Sequence, residues 1–379
     1  MVSFLTDAAT EMIYPLLPVF LSTVLGANAS FIGAIEGTAQ SVSSLLKLAS
    51  GWWSDKAQKR KPLVVAGYVI ATVVRPFIAI AQSATVVFGI RIVDRIGKGI
   101  RSAPRDALLA DSTDREARGK AFGFHAAMDN AGAVLGPLIA FALLTWFDVS
   151  LRNVFWLAAI PGTLAVIVLI VAVKDVQRRA TVQHDEKPDL SAPTKLGRRF
   201  WAYLLVVFVF TLGNSTDAFL LLRSNQLGVA IALAPILWAV LNLVRAALGT
   251  WGGSLSDHVG RKSLIVAGWL VYAAVYFGFA IADEQWHAWV LMASYGIFYA
   301  LTEGTEKALV ADLVPAARRG AAFGWFNLAI GLGALPASLI FGAIWDRAGS
   351  PAAFSFGAIV ALVSAIGLFF ILPRPVARV

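Results

Sequence analysis

The chain has 379 residues, of which 58% are hydrophobic and 15% charged, with a net charge of +9 and a mean hydropathy of +0.72. A soluble domain carries about 25% charged residues, so this balance excludes an ordinary soluble protein, and the absence of cysteine excludes disulfides and thiolate metal sites. The four histidines are scattered and none stands in an HExxH pattern, which argues against a metal centre; the basic excess reads as cytoplasmic-loop charge rather than a nucleic-acid footprint.

Twelve membrane helices are predicted, at about 3–25, 31–53, 62–83, 86–108, 120–146, 151–174, 200–222, 231–254, 263–282, 287–309, 321–345 and 351–372. The first holds Asp7 and Glu11 and begins almost at Met1, which leaves open a longer or trimmed N-terminus. The second holds Glu36, Gln40 and Lys47, and the third only Arg75. The fourth carries the densest charge, DRIGKGIRSAPRDALLAD from Asp94 to Asp111. The fifth holds His125 and Asp129, the seventh Asn214, Asp217 and Arg223, the eighth Asn242 and Arg245, and the tenth Glu303, Glu306 and Lys307. The sixth, ninth and twelfth have no charge at their centres.

Basic residues collect in alternate loops: Lys56, Lys59, Arg60 and Lys61; Arg115 and Arg118; Arg261 and Lys262; Arg318 and Arg319. By the positive-inside rule both termini are cytoplasmic. Residues 175–199 are polar, proline-bearing and mixed in charge, and read as a cytoplasmic linker between a bundle at 1–174 and another at 200–379. The chain repeats itself across that linker. SDKAQKRKPLVVAG at 54–67 returns as SDHVGRKSLIVAG at 256–268, and RDALLADSTDREARGKAFG at 105–123 returns as EKALVADLVPAARRGAAFG at 306–324. In the second pair Asp111 meets Asp312 and Arg118 meets Arg319, at a constant offset of 201 residues. Six helices return the chain to its starting side, so the two halves are parallel repeats about an axis along the membrane normal.

GKGIRS is a poor phosphate loop. A P-loop needs GxxxxGK[ST] between a strand and a helix, whereas Lys98 is followed by Gly99 inside an apolar helical stretch. Arg91, Arg95 and Lys98 share a helix face at i, i+4, i+7, and Asp94 lies about 13 Å along the fourth helix, near mid-membrane. Charge at that depth faces the protein interior or a water-filled path. Arg101, Arg105 and Asp106 lie deeper, toward the cytoplasmic end.

GGSLSDHVGRK resembles the GxxxDxxGRK loop motif of the major facilitator superfamily, at Gly253, Asp257, Gly260, Arg261 and Lys262. GWWSDKAQKRK, with Gly51, Asp55, Arg60 and Lys61, is its N-terminal counterpart, with one residue inserted and the inner glycine missing. GAVLGP at 132–137 resembles the gxxxGP motif on the fifth helix of many proton-coupled exporters, continuing LIA rather than paired glycines. The resemblance implies an all-α membrane protein of the MFS fold, two pseudo-symmetric six-helix bundles with helices one, four, seven and ten lining a cavity. It implies a monomeric secondary transporter of the bacterial inner membrane, not an enzyme, with no cofactor and no nucleic-acid partner.

Carboxylates buried in an apolar wall resist charging and can load and release a proton. Asp7, Glu11, Asp94, Asp129, Asp217 and Glu303 are the candidates for proton coupling, with the Asp7–Glu11 pair first. Each could equally be held in an ion pair: Asp94 with Arg91 or Arg95, Glu303 with Lys307. Candidates for substrate contact are Glu36, Arg91, Arg95, Lys98, His125, Asn214, Arg245, Glu306 and Lys307, the basic face of the fourth helix suiting a carboxylate or phosphate. Gating falls to the two loop motifs with Asp111, Arg118, Asp312 and Arg319. Proton-driven efflux is expected, the alternative being import of a small organic anion or metal chelate. A membrane enzyme or a receptor that does not transport is a third class, with no nucleophile–base constellation in the sequence to support it.

Overall fold

The computed structural model describes residues 1–56, 59–113, 118–173, 196–315 and 318–371, without the side chains of Trp52, Ser54, Asp55, Lys56, Ala110, Asp111, residues 118–123, Thr250, Gly253, Asp257, Arg319, Gly320 and Ala321. Most of the expected linker, residues 175–195, lies outside that set. Among the described residues there is no strand, and the helices group into twelve rods. These are α1 (Val2–Val24), α2 (Ala29–Lys56), α3 (Lys61–Ile80), α4 (Ala84–Asp111), α5 (Arg118–Thr145), α6 (Leu151–Ala172), α7 (Arg198–Gln226), α8 (Ala234–Val259), α9 (Arg261–Ile281) and α10 (Gln285–Asp312). The last two, α11 (319–348) and α12 (350–371), are joined at Gly349, whose φ of +83° suits glycine and turns the chain.

Eight stretches are long and apolar enough to cross a membrane by composition. One of them holds both α11 and α12, and the rods that do not qualify are α2, α4 and α10. Charge and polarity on those rods lower their hydropathy, so their interior faces, not their lengths, set them apart.

Contacts divide the chain into two compact units. One comprises Met1–Asn28, Thr38–His184 and Ala230–Ala239, the other Ala29–Gly37, Asp185–Val229 and Val240–Val379. In the first, α1 packs on α5 and α6, and α3 on α4 and α6. In the second, α7 packs on α11 and α12, and α9 on α10 and α12. The packing scheme repeats with the sequence. The 28-residue helices α4 and α10 begin and end 201 residues apart, at Ala84 and Gln285 and at Asp111 and Asp312.

Small residues make the crossings. A Cβ on Gly67 of α3 would stand 2.5 Å from the Gly97 carbonyl oxygen of α4, and one on Gly97 would stand 2.7 Å from the Gly67 oxygen. Gly99 lies as close to Leu46 of α2, and Ser50 Oγ donates to its carbonyl at 2.8 Å. The glycines of GKGIRS are therefore helix-crossing points within a continuous helix, as close packing in a membrane requires.

Two arginines close the ends of equivalent helices. Arg152 donates to the carbonyls of Ala79 (2.6 Å) and Ala81 (2.8 Å) at the C-terminal end of α3. Arg223 donates to those of Phe279 (3.1 Å) and Ala282 (2.6 Å) at the end of α9. They come from different positions in the two halves, yet both satisfy C-terminal carbonyls that a helix leaves unpaired. Arg223, read in the sequence among the interior charges of the seventh helix, has this capping role in the fold.

Candidate functional site

In the first unit the carboxylates of α1 meet the glycines of GAVLGP. A Cβ on Gly132 would stand 2.5 Å from the Phe4 oxygen and 3.0 Å from Asp7 Cβ; one on Gly136 would stand 2.5 Å from the Ala8 oxygen and 3.1 Å from Glu11 Cβ. The motif thus seats α5 on the backbone that carries Asp7 and Glu11. Asp129, one turn before Gly132, accepts a hydrogen bond from Ser3 Oγ. Asp7 lies within electrostatic reach of Asp129, Lys98, Glu11 and Arg101. Glu11 accepts from Trp238 Nε1 at 2.7 Å, and the Trp238 ring lies 4.9 Å from that of Tyr14. His125 Nε2 is 3.7 Å from Asp129 Oδ2, beyond hydrogen-bond length, so the two are neighbours rather than a formed relay.

The charged stretch of α4 is organised around Asp94, which is 1% exposed. Arg75 Nε lies 2.6 Å from its Oδ1, Arg91 Nη1 3.4 Å from Oδ2, and Arg95 Nε 4.0 Å from the same oxygen. The nearest cation thus comes from α3, where Arg75 stood alone in the sequence. One carboxylate holding three guanidiniums is a structural hub, and it engages Arg91 and Arg95, two of the residues expected to contact substrate. Two turns beyond Asp94, the Arg101 guanidinium lies 4.2 Å over the Tyr68 ring, and Arg105, a turn further, lies within electrostatic reach of Tyr68 while pairing with Asp106 at 2.9 Å.

In the second unit α7 is interrupted. Helix Arg198–Gly213 stops, residues 214–217 run non-helical, and helix resumes at Ala218–Gln226. Within a bilayer such a break must find its hydrogen bonds in protein. Tyr272 Oη donates to the Gly213 carbonyl at 3.1 Å, and Ser215 Oγ lies 3.4 Å from Tyr276 Oη. Asp217, at the break, accepts from Tyr295 Oη (2.8 Å) and Tyr299 Oη (2.9 Å). Asn214 lies in the same break. Glu303 pairs with Arg245 at 2.7 Å and with Lys307 at 3.7 Å, and Arg245 lies 4.6 Å over the Tyr299 ring. Glu306 accepts from Trp269 Nε1 at 2.9 Å. Glu36, in the N-terminal third of α2, is buried.

The candidate carboxylates therefore sort by partner. Asp94 and Glu303 are held by cations, whereas Glu11, Asp129, Asp217 and Glu306 accept from neutral donors. The aromatic donors Trp269, Tyr295 and Tyr299 were missed as site residues, whereas Trp238 was expected only as part of an aromatic wall. The signal that could have found two positions is the 201-residue offset carried into the membrane: Tyr68 and Arg105 of the first half correspond to Trp269 and Glu306 of the second. The aromatic–polar pair is conserved in place and inverted in charge.

Of the gating residues, Asp55, Asp111, Arg118, Gly253, Asp257 and Arg319 lie outside the described side chains. Arg261 Nε and Asp312 Oδ2 form a 2.6 Å pair joining the start of α9 to the end of α10. Gly260 has φ +93°, which explains the glycine of the C-terminal motif. Lys262 Nζ lies 4.9 Å from the Phe369 ring, Lys61 Nζ donates to the Ile170 carbonyl at 2.8 Å, Arg60 is half-buried, and Gly51 faces Ala103 at ordinary contact distance. No group of three or more metal-ligating acidic or histidine side chains exists among the described residues.

The sequence model of the Major Facilitator Superfamily matches residues 1–335 and also 246–379. An MFS-type transporter of Methanocaldococcus jannaschii is 34% identical over 377 residues, covering 97% of this chain and 92% of its own. The quinolone resistance protein NorA of Staphylococcus aureus is 26% identical over 213 residues, 56% of this chain and 53% of its own. Among solved structures, a D-xylose-proton symporter superposes with a TM-score of 0.77 at 16% identity, covering 98% of this chain and 95% of that one. An inward-facing bacterial homologue of the human lysosomal transporter Spinster gives 0.73 at 17% identity, covering 98% and 94%. Those two likenesses show a shared fold. With the family matched along the chain and a relative aligned over nearly all of it, this protein belongs to the Major Facilitator Superfamily: it is a membrane transporter of small molecules, not an enzyme.

Proposed function

We propose that the protein is a proton-coupled secondary active transporter that exports a small molecule across the inner membrane by alternating access of two six-helix bundles, 1–174 and 200–379. On this reading it works as a monomer with both termini cytoplasmic. The observation that carries it is the seating of α5 on α1, where Gly132 and Gly136 abut Asp7 and Glu11. A helix crossing this close fixes both carboxylates in place on the backbone of α1. Glu11 is held by an indole N–H, a partner that bonds a carboxylate and leaves a protonated acid in place. The partial likeness to NorA supports efflux. The excess of cations on α4 supports a second reading, import of a small organic anion or metal chelate with protons.

The test uses purified protein in liposomes with a pH dye inside and a panel of organic acids, metal chelates and amphipathic drugs added outside. A lumen that turns alkaline as a compound enters means antiport and supports the exporter. A lumen that turns acidic means symport and moves the assignment to the importer. No pH response to any compound that is itself transported removes proton coupling.

A further inference from the structure

We infer that Arg101 is a binding residue for an anionic group, carboxylate or phosphate, on the transported molecule. The inference rests on the transporter reading and names a substrate class for it.

Arg101 is 4% exposed, and its Nη1 has no hydrogen-bond partner. Its guanidinium is fixed by the Tyr68 ring beneath it. A buried cationic donor left unpaired is costly, and a charged acceptor relieves that cost most fully. The surroundings supply positive charge in excess. Lys98 lies one turn before Arg101 on α4 and Arg105 one turn after. The acidic groups that act most strongly on Arg101 are Asp94 and Asp7, Asp94 is already shared by three arginines, and Arg105 is paired with Asp106.

The internal repeat shows that packing does not ask for an arginine here. Gly67 abuts Arg101 where α3 crosses α4, and Gly268 abuts Thr302 where α9 crosses α10; both pairs are 201 residues apart. Thr302 makes that crossing with its hydroxyl turned back to the Phe298 carbonyl at 2.9 Å. The neighbouring positions differ in the same sense. Lys98 and Arg105 correspond to Tyr299 and Glu306, so the first half has exchanged neutral and acidic groups for basic ones around one shared aromatic position, Tyr68 or Trp269. The guanidinium at 101 serves something other than the crossing, and its unpaired N–H marks where an anionic oxygen docks.

The experiment measures binding, so it stands apart from proton coupling. Wild-type protein in nanodiscs of zwitterionic lipid is titrated with benzoate, phenylphosphonate and uncharged benzyl alcohol, with thermal unfolding as the readout. Arg101→Thr carries the residue that the repeat already accommodates, and Arg101→Lys keeps the charge without the fork. Benzoate or phenylphosphonate is expected to stabilise the wild type where benzyl alcohol does not. Arg101→Thr is expected to fold and to bind the anions about tenfold more weakly, with Arg101→Lys between. Equal anion binding by wild type and Arg101→Thr, or no preference of the wild type for the anions over benzyl alcohol, overturns the inference. Should Arg101→Thr fail to fold, the wild-type preference and an Arg101→Lys affinity equal to wild type decide in the same way.

Discussion

Asp94→Asn separates a structural hub from a proton carrier. At an effective dielectric of about 20, the contacts at 2.6, 3.4 and 4.0 Å correspond to gross attractions of about 6, 5 and 4 kcal/mol. Desolvation of four buried charges and repulsion among the three guanidiniums cancel most of that sum. Removing the carboxylate alone relieves only its own desolvation and leaves three buried guanidiniums uncompensated and repelling one another, so the expected loss is about 3–5 kcal/mol of stability. Thermal unfolding in nanodiscs, read by circular dichroism, measures it. Adding Arg75→Met removes the closest cation and should recover part of the loss, giving a coupling energy in a double-mutant cycle. An Asp94→Asn protein that unfolds at the wild-type temperature yet loses proton coupling would refute the hub and return Asp94 to the list of carriers.

Gly136→Val pushes a side chain into the Ala8 carbonyl and Glu11; it should cost about 1–3 kcal/mol in the same unfolding assay and lower coupled flux, because α5 can no longer sit on α1. Arg152→Ala leaves the carbonyls of Ala79 and Ala81 without their donor and should destabilise by about 1–3 kcal/mol, with substrate affinity unchanged in a binding assay. Tyr295→Phe with Tyr299→Phe strips both donors from Asp217; unfolding should show a loss of about 1–3 kcal/mol, smaller in either single variant. Asp312→Asn breaks a half-exposed pair with Arg261 and should change stability by no more than about 1 kcal/mol, so a large loss of transport with an intact melting curve would assign the pair to gating.

Much of the architecture was legible because the bilayer imposes it. Apolar stretches that account for nine of the twelve rods need no tertiary knowledge, and the repeats at 54–67 and 105–123 announce two similar halves. Packing partners were not legible. Arg75 looked isolated because its counter-charge is 19 positions away on the next helix, and sequence spacing cannot tell which faces meet. Asp217 was visible as an intramembrane acid, yet the break at 214–217 that presents it carries no proline, and the tyrosines that hold it lie more than 70 residues downstream. GAVLGP was read as a family signature. Its physical content, two glycines bracketing Asp7 and Glu11, emerges only once α5 is laid on α1. Arg223 shows the opposite error: charge in a predicted span suggested a polar path, whereas the side chain caps a neighbouring helix.

Proton translocation by Glu11→Gln tests the central claim most directly. The variant and the wild type are reconstituted at equal density, and lumen pH and compound uptake are recorded together for a substrate identified with the wild type. The account predicts that Glu11→Gln, which can keep the Trp238 hydrogen bond but carries no titratable proton, folds normally and moves no protons with its substrate. Wild-type proton movement in Glu11→Gln would contradict it and remove the first-helix pair's leading member from the mechanism.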